Sequence, residues 1–255
     1  PREINGGHVI RSGKGDYELV LQKSGESNYR LAQIDNYMHL PRRKFLLEPP
    51  ISMMLEAKIP SPFITGTWGF GLWNDPFSLG FGGGGVSKFL PVLPNAAWFF
   101  YGSSENALSL CDDQPGNGFH VKTFRSPLLP SFTSLLTLPI LPLLFIPRGA
   151  RLLRSLARLF IKEDGKQIKF DVDKWHAYRL SCADSQTAFY VDDKPIFSTN
   201  LSPRGRLGTV IWIDNQYFHF DAHGKLGFGF LPIPENQWIQ IRDLHISRNN
   251  QQKKN

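Results

Sequence analysis

The sequence predicts an all-β protein, a sandwich of two antiparallel sheets, and three observations predict it. Short stretches alternate apolar and polar residues, as in "DYELVLQ" and "WHAYRLSCA". Gly (23) and Pro (19) are spread along the whole chain and punctuate it into short elements. Aromatic residues make up 13%, with 20 Phe and 6 Trp, within a 41% hydrophobic fraction that is enough for a substantial core. At 255 residues the chain is long enough for one large domain, and residues 1–255 are read as one.

In chain order the predicted strands are 16–22, 29–35, 51–59, 67–73 and 96–102. After position 170 follow 175–183, 187–193, 194–200, 208–216, 225–231 and 237–247. "VDDKP" joins two of them as a hairpin, because Asp192, Asp193 and Pro195 supply turn chemistry.

Residues 126–165 break the pattern. "SPLLPSFTSLLTLPILPLLFIP" carries no charge over 22 residues, a length that spans a bilayer core. Its five prolines, at 127, 130, 139, 142 and 147, remove backbone donors and argue against a spanning helix. "RGARLLRSLARLFIKED" follows, with Arg148, Arg151, Arg154 and Arg158 on one helical face. Leu152, Leu156, Leu159 and Phe160 occupy the opposite face. The segment is an apolar insertion ending in a basic amphipathic helix. Two roles suit it: a lid packed on its own domain, or an interfacial element with its arginines at anionic head groups.

The formal net charge of +7 fits ordinary solubility or a preference for anionic surfaces, part of the excess lying in Arg148–Arg158 and at Lys253 and Lys254. No nucleic-acid motif is present, so nucleic acid is not an expected partner. Cys111 and Cys182 are too few for a disulfide framework and fit no zinc spacing, and one disulfide or two thiols are both open. No signal peptide is visible; a soluble or peripheral membrane protein is expected, in a compartment the sequence does not name.

Gly80, Gly82 and Gly85 spell a dinucleotide fingerprint, but Pro91 and Pro94 stand where its helix should begin, so a surface loop is expected. His219, Asp221 and His223 have zinc-like spacing only on a helix; between two strands they are turn residues. Two segments carry more chemistry. "GLWNDPF" ends a strand with Trp73, Asn74 and Asp75, and "IWIDNQYF" alternates Trp212, Asp214 and Gln216 on one strand face. Indole faces beside Asp, Asn and Gln suit a ligand with C–H surface and hydroxyls. An Asp among aromatics also gains a raised pKa and can act as a general acid.

"YRLAQID", "PPISMMLEAKI", "GTWGFGLWNDPF", "AAWFFYGSSENAL" and "WHAYRLSCADSQTAFYVDDKPIFSTN" together resemble concanavalin A-like lectin/glucanase jelly rolls, and bacterial proteins similar to glycoside hydrolase family 16 in particular. The resemblance spans most of the chain outside about 126–165 and implies a jelly roll with an aromatic concave cleft. It departs from the family at the catalytic strand, since no Glu-x-Asp occurs anywhere, so family 16 hydrolysis is not expected. It also implies a structural calcium near Asp243, with no other cofactor required.

The expected site comprises Trp73, Asn74, Trp98, Tyr101, Trp212 and Gln216 as ligand contacts. The first function expected is binding of an apolar or glycolipid-like small molecule in the cleft, at an anionic membrane surface engaged by the four arginines. A non-hydrolytic cyclase- or isomerase-type enzyme using Asp75 or Asp214 is one alternative, and a lectin-like carbohydrate-binding module is another.

Overall fold

In the computed structural model, which describes residues 1–61, 64–76, 90–112 and 116–248, the alternating segments pair into two seven-stranded antiparallel sheets. The first half of the chain supplies β1 (Arg2–Ile4), β2 (Gly7–Arg11), β3 (Tyr17–Leu21), β4 (Leu31–Asp35), β5 (Ile51–Lys58), β6 (Thr67–Trp73), β7 (Ala96–Gly102) and β8 (Gly118–Arg125). The second half supplies β9 (Lys162–Gln167), β10 (His176–Cys182), β11 (Thr187–Val191), β12 (Lys194–Thr199), β13 (Gly208–Asp214), β14 (Gln216–Phe220), β15 (Leu226–Phe230) and β16 (Gln237–Arg248). One sheet runs β1-β4-β13-β6-β7-β8-β9, the other β12-β11-β10-β5-β16-β3-β2, and β14–β15 forms a separate hairpin. Consecutive strands repeatedly fall in opposite sheets, which makes this a jelly-roll sandwich.

Period-two alternation builds the core. Trp68, Phe70 and Leu72 of β6 point inward with Ala97 and Phe99 of β7, Val121 of β8 and Ile211 and Ile213 of β13. They meet Met53 and Leu55 of β5, Tyr178 and Leu180 of β10, Phe189 of β11 and Ile239 of β16. Phe99 is the hub, with edge-on contacts to Tyr178 (5.1 Å) and Phe189 (5.3 Å). Truncating such a buried aromatic to Ala costs about 3–5 kcal/mol.

The β11–β12 turn is as its sequence requires. Val191 pairs with Lys194, leaving Asp192 (φ 50°) and Asp193 (φ 59°) as two left-handed central residues, the geometry of a tight hairpin. No disulfide joins Cys111 and Cys182, and burial pushes the Cys182 thiol up to about 12.

The insertion lies between β8 and β9, neighbouring strands at the edge of the first sheet. Its proline-rich half winds as a 3-10 segment over Ser131–Phe145 with Pro139 and Pro142 inside it. An α-helix, α1 (Pro147–Phe160), follows, with Pro147 in the first turn where no backbone donor is needed. The excursion ends at Ile161, earlier than the sequence boundary of 165, because Lys162–Gln167 pairs with β8 as an edge strand despite its polar composition. Among the described residues, no helix is long and apolar enough to cross a membrane.

Candidate functional site

The candidate site is the face of the first sheet that points away from the other sheet. Register sets its rows. Gln33, Trp212, Gly69, Phe100 and His120 lie side by side across β4, β13, β6, β7 and β8. Asp35, Val210, Gly71, Trp98 and Lys122 form the next row. The two glycines have a steric purpose. A Cβ on Gly69 would sit 2.6 Å from the Trp212 ring, and one on Gly71 would sit 2.6 Å from the Trp98 Cβ. Only hydrogen at these positions lets the indoles lie across β6.

The tryptophans form one array. The Trp73 and Trp212 planes are parallel within 3° at 6.4 Å between centroids. Trp98 meets Trp73 and Trp212 edge-on, at 5.9 and 6.0 Å. On one side Tyr37, Phe45 and Leu40 cover Val210. On the other, Ala96, Trp98, Phe100 and Phe124 are covered by Leu108 and Ile161. Trp73 and Trp212 border both clusters and are only partly buried, so they are the aromatic surface left at the seam.

Asp214 ends the Trp212 face of β13. Its Oδ1 accepts the Thr67 hydroxyl at 2.6 Å and the Gln216 amide at 3.3 Å, while Trp212 Nε1 donates to the same Thr67 hydroxyl at 2.9 Å. Tyr29 also engages the carboxyl. Burial outweighs these hydrogen bonds and pushes the Asp214 pKa up to about 7. The Tyr29 hydroxyl is raised too, first by its own burial and then by the Asp214 charge.

The far half of the face is roofed. Lys122 and Glu163 form an ion pair at 2.7 Å, both side chains at most 2% exposed. Ser109 Oγ and the Leu110 amide donate to Glu163, and Lys122 Nζ donates to the Leu108 carbonyl, so all charge is met. His120, buried beside them, has its pKa lowered by desolvation. Above this layer lies α1, held by Arg154. Its guanidinium donates to the Ser109 and Phe220 carbonyls at 2.6 and 3.1 Å and to Asp112 at 2.8 Å, and Arg158 joins Asp112 at 2.5 Å. The helix is therefore docked through Arg154, with Arg158 at the margin of the contact, while Arg148 and Arg151 stay exposed, so the four arginines do not share one outward face.

The residues expected from sequence divide accordingly. Trp73, Trp98, Trp212 and Asp214 share this face, with Trp98 beneath the roof. Tyr101 points to the opposite side of β7, where it stacks on core Trp68 at 5.6 Å. Asn74 acts as a loop clamp, donating to the Leu93 carbonyl and accepting from the Asn95 amide. Asp75 lies past the strand end at φ 50°, its carbonyl accepting two bonds from Arg42. Gln216 opens β14, next to Asp214. The Gly80–Gly85 fingerprint, like Lys253 and Lys254, lies outside the described residues. His219, Asp221 and His223 close the β14–β15 turn, Asp221 accepting the His223 and Lys225 amides.

Asp243 sits at φ 54° in the β16 bulge, where its amide donates to Asp16. Among the described residues no three His, Cys, Asp or Glu side chains gather, so a calcium ion there would draw most of its oxygens from backbone carbonyls. A surface cavity of about 790 Å³ lies between Ser24, Thr65, Glu105 and Leu231–Pro234, and no tryptophan lines it.

Sequence reasoning missed Gln33, Asp35, Lys122 and Glu163. The alternation of "FHVKTF" was the available signal for β8, and hence for Lys122. Glu163 carried none, since β9 has no apolar periodicity.

No family model matches the chain, and no curated protein matches it. Its fold is similar to that of several solved structures. A Bacteroides ovatus GH16 protein of a mixed-linkage glucan locus, in complex with G4G4G3G product, is 8% identical with a TM-score of 0.49, over 95% of this chain and 85% of that one. A glycoside hydrolase family protein from Mycobacterium thermorestibile is 12% identical with a TM-score of 0.43, over 97% and 91%. The carbohydrate-binding module CBM66 from Bacillus subtilis is 8% identical with a TM-score of 0.36, over 95% of both chains. At these values the likeness concerns the course of the chain alone.

Proposed function

We propose that the chain is a binding module for a glycan or the sugar head of a glycolipid, held at the seam between Trp73 and Trp212. The supporting observation is the pair of parallel, partly exposed indoles, with the Gln33 amide cross-strand from Trp212 and the Asp35 carboxylate one row away. A sugar ring offers an indole its C–H face and offers an amide and a carboxylate its hydroxyls. Gln33 already donates to Asp35 at 2.9 Å, which fixes both groups before a ligand arrives. A lipid-borne sugar suits a chain that also exposes apolar side chains between Leu128 and Phe160. The test is a glycan array probed with the wild type and with Trp212→Phe. Retention of at least one glycan, weakened in the variant, is expected; no retention by the wild type overturns the reading.

A second reading, acid–base chemistry without hydrolysis, is favoured by one observation. Asp214 holds a proton near neutral pH beside the same indole. Asp214→Asn separates the two. A module keeps its glycan, whereas an enzyme loses turnover by orders of magnitude.

A further inference from the structure

We infer that the insertion between β8 and β9 docks on an anionic lipid bilayer, its apolar side chains entering the acyl boundary. The sequence suggests an amphipathic helix, and the structure shows which way it faces. Arg154 is 4% exposed and turned into the protein. At 100° per residue, Leu152, Leu156 and Leu159 fall opposite Arg154. They are exposed, Leu152 and Leu159 by 56% and 66%, with Phe160 at 53%. The 3-10 segment adds Phe132, Leu136 and Phe145, exposed by 63%, 76% and 84%. The segments are packed together, since a Cβ on Gly149 would meet the Leu143 carbonyl at 2.5 Å. The exposed side chains of both segments thus belong to one packed element. An apolar surface so concentrated marks a contact site.

Charge identifies the occupant. Arg148 and Arg151 are exposed beside the leucines, and among the described residues no carboxylate pairs with either. A second copy of the chain would bring the same two arginines, and a second +7 charge, against the first. A phosphatidylserine surface meets them with opposite charge, arginines at head-group depth and leucines below. Among the described residues no helix is long and apolar enough to cross a membrane, and it is the exposed leucines and arginines that set the element at the interface. The inference uses none of the sugar contacts at Trp73 and Trp212.

The experiment is flotation of the full chain with vesicles of phosphatidylcholine alone and of phosphatidylcholine with phosphatidylserine, neither of which carries sugar. Binding to the second composition, weakened by salt, is expected. Leu136→Ser/Phe145→Ser and Arg148→Glu/Arg151→Glu change only exposed side chains, and each should reduce bound protein about tenfold or more. Equal flotation of wild type and variants overturns the inference. So does a wild type that stays with neither vesicle, including one that instead sediments as a dimer dissolved by Leu136→Ser/Phe145→Ser.

Discussion

Replacing Asp214 by Asn should remove a contribution to stability that the wild type loses as pH rises from 5 to 8, so the variant should lose less over that range than the wild type does. In the folded protein burial holds the carboxyl pKa at about 7, against an ordinary value of 3.8. A carboxyl raised on folding binds more protons folded than unfolded, so its contribution is complete below about pH 4 and is lost as pH rises through about 7. The gap corresponds to about 4 kcal/mol in full, of which about 3 kcal/mol falls between pH 5 and pH 8. For a domain of this size that is about 6–12 °C in melting temperature. Asn keeps an acceptor for Thr67 and Gln216 at the Oδ1 position and never ionises. His120, whose pKa burial lowers, contributes with the opposite sign in both proteins and cancels in the comparison. The assay is thermal melting of both proteins in matched buffers at pH 5 and pH 8. If the wild type loses no more than Asp214→Asn, Asp214 is not a buried, proton-holding carboxyl and the reasoning fails.

Arg154→Ala removes three contacts that hold α1 and should cost about 2–4 kcal/mol, with faster amide exchange concentrated in residues 147–160. Glu163→Ala leaves Lys122 charged and buried and should cost about 3–5 kcal/mol by denaturant titration, whereas Lys122→Met/Glu163→Leu should cost less than that single change. Gly69→Ala drives a methyl into the Trp212 ring, so the tryptophan near-ultraviolet circular dichroism should change and any glycan retained by the wild type should bind more weakly.

The legible part of the fold was the part in which local pattern and tertiary role agree. Strands β6 and β7 match their sequence boundaries because Trp68, Phe70, Leu72, Ala97 and Phe99 must all leave water on one side. β9 fails that test: "KEDGKQ" becomes a strand through its ladder to β8, and Glu163 is buried only because Lys122 waits across the pair at 2.7 Å. Nothing local announces such a pair, since the two residues are 41 positions apart. The site was half visible for the same reason. Trp73, Trp98, Trp212 and Asp214 follow from alternation on one face, but Tyr101 follows Trp98 by three positions and odd spacing sends it to the core. Gln33 and Asp35 come to the tryptophans only through the β4–β13 register.

The orientation of α1 departs from the expectation that all four arginines engage an anionic surface, and acceptor geometry accounts for it. Periodicity marks a leucine face and an arginine face, and the usual expectation buries the leucines. Here the surface beneath the helix offers two backbone carbonyls, of Ser109 and Phe220, and the Asp112 carboxylate. A leucine placed there would leave the two carbonyls unpaired at about 1–3 kcal/mol each, whereas one planar guanidinium reaches both of them and Asp112 as well. None of Leu152, Leu156 and Leu159 belongs to the core between the two sheets. The helix accordingly turns Arg154 and Ala150 in and leaves Leu152, Leu156 and Leu159 in water. Fully burying an exposed leucine is worth about 1.5–3 kcal/mol, so covering Leu152, Leu156 and Leu159, which are 41–66% exposed, would gain a part of that which no described residue supplies.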